Sequence, residues 1–306
     1  MLVLAEAKAS AHNSQKMPYR YYSLHKTVTC KLKKNYANKM ENDIKTTKPK
    51  SDFDLFVRKF YYQSLDKKTK ETSGIIADDG CYELIFIKEK NVCLEYSKIK
   101  KTQLPSCFTL HKIMPPFRFE FYEKLTVFGV KLQPWANSLI IPNNLPEGVL
   151  NLQIIYNPSI DLFHKNLFNQ ENFETMVEMS YSFLFSNKIK IDNEILFIKS
   201  VCEKIYSTNG NISVQDLSLQ FRVNRQKLNR KFKTHVKYNL KYFIKLIRMR
   251  AIIKYKIKNI EVTLTQAAYQ FGYYDQAHFI NDFKKICGTT PSSFIKDNSY
   301  SFNDLR

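Results

Sequence analysis

Two short stretches place paired hydrogen-bonding side chains at helical spacing. In "RQKLNRKFK" (residues 225–233), Leu228 and Phe232 stand four apart and define an inward side. Gln226, Asn229 and Arg230 then fall on the opposite side, with Arg225 at the start. In "FGYYDQAHFINDFKKICGTTPSSF" (residues 271–294), Phe279 and Phe283 play the inward role, with Gln276, His278 and Asn281 between apolar residues. Carboxamides pair bidentately with adenine, and guanidinium groups pair with guanine. An ordinary solvated helix face has the same residue types, so the elements that hold these side chains decide the reading.

Those elements repeat. Ser213 opens "SVQDLSLQF" with Asp216 three residues on, and Thr263 opens "TLTQAAYQF" with Gln266 three residues on. Each is a capping-box start signal. Leu217–Phe221 parallels Ala267–Phe271 at an offset of 50. A short break follows each, "RVN" and then "GYYD", and a second helical pattern follows each break. The spacing predicts helix, tight turn, helix, twice. Gly272 suits the second turn, Asp275 suits the cap of the helix after it, and Gly288 and Pro291 end that helix. Between the copies, Leu240 to Ile257 lacks Gly and Pro. Phe243, Ile244, Ile247 and Ala251 form its apolar face, against Lys241, Lys245, Arg248 and Lys254. A helix of that length spans about 27 Å, near the ~34 Å between successive major grooves.

Charge is concentrated in the same region. The chain carries a formal net charge of +20. Residues 51–197 are balanced, with 17 Lys/Arg against 18 Asp/Glu, whereas residues 198–297 hold 19 against 6. Arg222 to Lys258 contains 14 Lys/Arg, five of the nine arginines among them, and no acid. A basic domain beside a neutral one implies a polyanion partner for the basic half alone.

The rest of the chain reads as a separate job. Residues 1–50, with 11 Lys/Arg against 3 Asp/Glu, lack periodicity and read as a disordered basic arm; Met1, Met17 and Met40 stand as alternative starts. Residues 51–160 read as a mostly-β domain, barrel or sandwich, from "CYELIFI", "VCLEYSKI", "FRFEFYEKL" and "LTVFGVKL". Residues 161–209 read as a helical connector and 210–298 as the basic helical domain, giving an α+β chain of two domains. Asp78 and Asp79 read as a turn before a strand, and Trp135 as core or pocket lining. Six cysteines show no Cys-x-x-Cys pair or metal spacing and read as reduced thiols of a cytoplasmic protein, nucleoid-associated when bound. No apolar run reaches the ~18 residues of a membrane span. No Gly-rich phosphate loop, G-x-S-x-G or H-E-x-x-H occurs, so no enzyme, cofactor or metal is expected.

Residues 210–296 resemble the DNA-binding domain of the AraC/XylS transcriptional regulators. "GYYDQAHFINDFKKICGTTPSSF" carries most of that resemblance, with "L-x-R-x-F" at 228–232 and "R-M" at 248–249. One departure is Arg222, where the family usually has Gly. "ADDGCYELIFI" and "LTVFGVKLQPWA" resemble the N-terminal domain of one subgroup. The resemblance implies base readout by Gln226, Asn229, Arg230, Gln276, Ala277 and Asn281. Arg225, Lys231, Lys233, His278, Lys284 and Lys285 are expected on the DNA backbone, and Leu228, Phe232, Gly272, Asp275, Phe279, Phe283, Gly288 and Pro291 hold the motifs. Double-stranded DNA is the expected partner, with RNA polymerase, a small-molecule effector and a second copy as further candidates, and no membrane. The alternatives are an architectural DNA-binding protein without a ligand, and a Cys-dependent DNA-repair methyltransferase acting through Cys81.

Overall fold

The computed structural model describes residues 44–50, 53–66, 75–76, 79–96, 100–113, 117–142, 144–184, 191–296 and 300–301. Residues 1–43 of the expected arm, Cys30 and Asp78 lie outside these. The strands are β1 (Lys45–Thr47), β2 (Val57–Asp66), β3 (Ile75–Ile76), β4 (Glu83–Ile87), β5 (Cys93–Tyr96), β6 (Lys100–Gln103), β7 (Cys107–His111), β8 (Phe117–Glu120), β9 (Lys124–Leu132), β10 (Gly148–Asn151) and β11 (Tyr300–Ser301). The helices are α1 (Asn137–Ile140), α2 (Gln153–Tyr156), α3 (Ser159–Phe168), α4 (Phe173–Leu184), α5 (Asn193–Ser207), α6 (Val214–Gln220), α7 (Arg225–Val236), α8 (Leu240–Lys258), α9 (Leu264–Gln270), α10 (Gln276–Cys287) and α11 (Pro291–Lys296).

Six strands form one sheet in the order β1-β2-β9-β4-β7-β10. Among the described residues its outer strands, β1 and β10, are not paired with each other, so of the expected barrel or sandwich the sheet is not a closed barrel. Three more strands form a smaller sheet, β6-β5-β8. Strand alternation assigns the layers. Ile85, Ile87 and Phe108 share a core with Leu94 and Leu125 toward the small sheet. Leu84, Phe86, Cys107, Phe128 and Val130 face the helices. The strand β4 is thus buried on both sides and reads as an unbroken apolar run.

Residues 161–209 do more than connect. Phe163 and Leu167 of α3 and Phe173, Met176 and Val177 of α4 cover the sheet, with Phe163 edge-on to Phe86 at 5.5 Å. The end of the expected arm is also structured. Lys45–Thr47 pairs with Phe60–Tyr62, and the Lys50 amide donates to Tyr181 Oη at 2.8 Å.

The packing runs on past residue 210. Leu217, Leu228, Phe232, Val236, Leu240 and Phe243 belong to the same core as the sheet. A second core holds Leu246, Met249, Ile252 and Ile253 of α8 with Leu264, Phe279, Phe283 and Ile286. The helix α8 therefore serves two cores from two faces, beyond the single face of Phe243, Ile244, Ile247 and Ala251 that spacing suggested.

Candidate nucleic-acid interface

Both helix pairs start as their sequences require. Ser213 and Asp216 complete a capping box at α6, and Thr263 and Gln266 complete another at α9. The turns after them need a residue at positive φ. Arg222 supplies it in the first copy at 51°, Gly272 in the second at 83°. Arg222 thus adopts the left-handed conformation at a position where Gly carries no Cβ penalty.

In the first copy, Asn224 Oδ1 accepts from the Gln226 amide at 2.8 Å and caps α7. Leu228 and Phe232 are fully buried, while Arg225, Gln226, Lys227, Arg230 and Lys233 are exposed. Asn224, Gln226, Lys227 and Arg230 line an open concavity of about 360 Å³ at the start of the helix. Lys227 escaped the sequence reading; its signal is the i, i+3 spacing to Arg230. Asn229 is half-buried, and its Nδ2 donates to the Arg225 carbonyl at 3.0 Å, so its amide lies back along its own helix.

Lys231 departs from expectation. Its ammonium sits 2.5 Å from Glu194 Oε1 on α5 and 5.8 Å from the Phe197 ring centroid. It faces the protein because one residue further along α7 rotates the side chain from the outer to the inner side. Lys231 holds the Glu194 carboxyl below its ordinary value. His235 joins the same contact, with Nε2 3.7 Å from Glu194 and Nδ1 3.0 Å from Ser138 Oγ. Asn137, fully buried, donates from Nδ2 to the Val236 carbonyl at 3.0 Å and accepts from the Tyr82 amide at 3.3 Å. The end of α7 is therefore fastened to the N-terminal part of the chain.

In the second copy, Asp275 accepts from the Ala277 amide at 3.0 Å and the His278 amide at 3.1 Å. Phe279 and Phe283 are fully buried; Gln276, Ala277, Asn281, Lys284 and Lys285 are exposed. Gly288 ends the helix at φ 70° with its amide bonded to the Lys284 carbonyl, and Pro291 starts α11. His278 is exposed, but its Nε2 lies 3.2 Å from Asp282 Oδ2. Asp282 is buried and also takes Lys245 Nζ at 2.7 Å and Tyr273 Oη at 3.2 Å. Arg248, read as part of the polar face, lies over the Tyr273 ring and donates from Nε to the Gly210 carbonyl at 2.8 Å. These contacts lock α10 to α8.

Asp79 is more than a turn residue. It is buried and receives Lys131 Nζ at 2.6 Å, the Cys81 amide at 3.0 Å and, at 3.6 Å, Arg250 from α8. A Cβ on Gly80 would meet Phe243 of the same helix at 2.4 Å. The region around 79–81 is thus built to receive α8. Burial and the neighbouring Asp79 push the Cys81 thiol up to about 12, the opposite of an activated nucleophile. Trp135 is buried and its Nε1 donates to the Leu55 carbonyl at 2.8 Å. Among the described residues, no group of His, Cys, Asp and Glu has metal-site geometry, and no helix is long and apolar enough to cross a membrane.

Comparison with known proteins bears on the C-terminal part. Residues 217–297 match the helix-turn-helix domain family. No curated protein matches the chain. Among solved structures, ToxT from Vibrio cholerae O395 is 18% identical over 77% of this chain and 97% of that one, with a TM-score of 0.42. Unsaturated-fatty-acid-bound ToxT from V. cholerae strain SCE256 is 17% identical over 77% and 94%, with a TM-score of 0.40. The AraC-like transcriptional activator CuxR is 12% identical over 78% and 94%, with a TM-score of 0.23. Scores this low do not bear on the fold, and the assignment stands on the domain match and the two capped helix pairs. Residues 217–297 are an AraC-type helix-turn-helix domain.

Proposed function

We propose that the chain is a sequence-specific DNA-binding transcription regulator that sets α7 and α10 in adjacent major grooves. One observation carries the reading: two capped helices each bury an apolar side and expose Gln, Arg or Asn on the other, within a strongly basic segment. Gln226, Asn229, Arg230, Gln276, Ala277 and Asn281 are the base readers in this scheme. Ala277 offers only apolar contact, suited to a thymine methyl. Arg225, Lys233, Lys284 and Lys285 hold the backbone together with His278 and Lys227, which fixes register without reading sequence. Lys231 leaves the set because Glu194 engages it. Asn229 reads a base only after giving up its bond to Arg225.

The N-terminal sheet domain is the sensing or dimerising part of the regulator. Its core is continuous with that of the first helix pair, so a change in the sheet domain has a packed path to α7. RNA polymerase is a further partner of a regulator of this type.

Footprinting of the full chain on sites selected from random DNA tests the reading. Two protected segments about 10 base pairs apart are expected, with affinity falling steeply as salt rises. A single protected segment, or binding indifferent to salt, would count against it. A scaffold without an effector remains the competing reading. It is favoured if no small molecule changes the fluorescence of Trp135, which sits beside the α1 clamp on α7.

A further inference from the structure

The backbone hydrogen bonds of the two turns align residue by residue. The Arg222 amide donates to the Leu219 carbonyl at 3.2 Å and the Val223 amide to the Ser218 carbonyl at 3.0 Å. At an offset of 50, Gly272 donates to Tyr269 at 3.2 Å and Tyr273 to Ala268 at 3.1 Å. The alignment ends there. In the first copy the next residue, Asn224, caps α7, whereas in the second the cap is Asp275. Tyr274 stands between, with no counterpart in the first turn. It is 96% exposed, more than any other large apolar residue among those described. Leu219 and Tyr269 are also exposed, but they occupy equivalent places and belong to what the copies share.

The neighbours of Tyr274 fix where it points. Tyr273 turns inward, with its Oη donating to the buried Asp282 at 3.2 Å and its ring edge-on to Phe279 at 5.4 Å. Asp275 folds back onto the amides of Ala277 and His278. Tyr274 is left on the outer side, two residues before the exposed Gln276. When a helix-turn-helix unit docks, the N-terminal residues of its second helix meet base edges, while its first helix crosses the backbone. The turn between them therefore runs along the wall of the groove, where sugars and phosphates lie. Tyrosine suits that place. Its hydroxyl donates to a phosphate oxygen, and its rigid ring offers a large contact while freezing few torsions.

We propose that Tyr274 anchors the second recognition helix to the DNA backbone. Its hydroxyl donates to a phosphate oxygen at the wall of the groove that α10 enters, and its ring lies against the adjoining deoxyribose. The anchor rests on the DNA reading of α10. Tyrosine adds no charge, so this contact releases no counterion and resists salt, unlike those of Lys284 and Lys285. The first turn has no such group, because Val223 at the matching place packs against the core. The two half-sites are thus unequal in kind: that of α10 has a salt-resistant hold that the α7 half-site lacks.

The test compares the full-length wild type, Tyr274→Phe and Tyr274→Ala on one DNA site selected by the wild type. Both variants keep the wild-type Tm, since the side chain is 96% exposed. Tyr274→Phe weakens binding about threefold or more through the lost hydrogen bond, and Tyr274→Ala about tenfold or more. The slope of log affinity against log salt stays at the wild-type value in both. Hydroxyl-radical footprinting of Tyr274→Ala shows sugars newly exposed at one edge of the segment under α10, with the segment under α7 unchanged. Either variant binding as tightly as the wild type overturns the anchor, and so does a loss that changes the salt slope or falls on both segments. A wild type that protects no pair of segments is a different failure: it refutes the DNA reading itself, and the anchor with it.

Discussion

Arg222 and Gly272 occupy the same place in the two repeats, and both turn the chain at positive φ, 51° and 83°. A left-handed conformation costs a non-glycine residue about 1–2 kcal/mol, partly offset by the smaller entropy it loses on folding. Arg222→Gly is therefore expected to raise stability by up to about 1 kcal/mol. Gly272→Ala is expected to lower it by more than that, because its Cβ would also lie 2.6 Å from Asn211 Oδ1. Urea unfolding of the two variants measures both signs; a destabilised Arg222→Gly would remove the strain argument.

Gln276 and Lys284 separate reading from holding. Both are exposed on α10, one at its start and one in its last turn. Gln276→Ala is expected to relax preference at one base position by about 1–3 kcal/mol. Lys284→Ala is expected to weaken all sites alike and reduce the salt slope by about 1. Competition binding on a library of single-base variants distinguishes them, and equal loss of specificity from both would refute the assignment.

Asp282 is buried among Lys245, Tyr273 and His278. Asp282→Asn keeps its size and removes its charge, leaving Lys245 without its counterion. Lys245 is partly exposed and keeps part of its hydration, so the cost is expected below the ~3 kcal/mol of a fully buried pair broken from one side. The expected footprint keeps the segment under α7 and loses the segment under α10, since this network joins α10 to α8. Uniform weakening of both segments would show that the network does not position α10.

Lys237 predicts a pH dependence with a definite sign. Burial, then the charge of Lys112, push its ammonium down to about 8 from 10.5. The unfolded chain thus holds the proton more tightly than the folded one. The penalty is full below pH 8, and it fades as pH rises toward 10.5. In low-salt buffer, Lys237→Met is expected to be more stable than wild type at pH 7, by up to about 3 kcal/mol. That advantage should disappear by pH 10.5; an advantage independent of pH would assign the effect to packing.

Local chemistry was legible along the chain. The capping boxes at Ser213 and Thr263, the Asp275 cap, the inward pairs Leu228/Phe232 and Phe279/Phe283, and the stop at Gly288 depend on neighbours within one or two helical turns. Spacing alone determines these, because helix geometry maps i, i+3 and i+4 onto one face. Strand runs such as Glu83–Ile87 were legible for the same reason, but their partners were not. Pairing β4 with β9 joins residues 40 to 48 apart, and the open order of the sheet follows from tertiary packing.

What only the tertiary structure decided lies where distant residues meet. Sequence made Lys231 a member of a basic run; the approach of Glu194 turned it inward. Sequence made Asp79 a turn residue; the arrival of Lys131 and Arg250 made it a buried ion-pair centre. Thr109 and His111 were unremarked in a strand until burial left Thr109 Oγ1 and His111 Nε2 without a hydrogen-bond partner among the described residues. The cause is the same in each case: electrostatic and desolvation energies depend on separation in space and on burial, and neither is encoded in spacing along one segment.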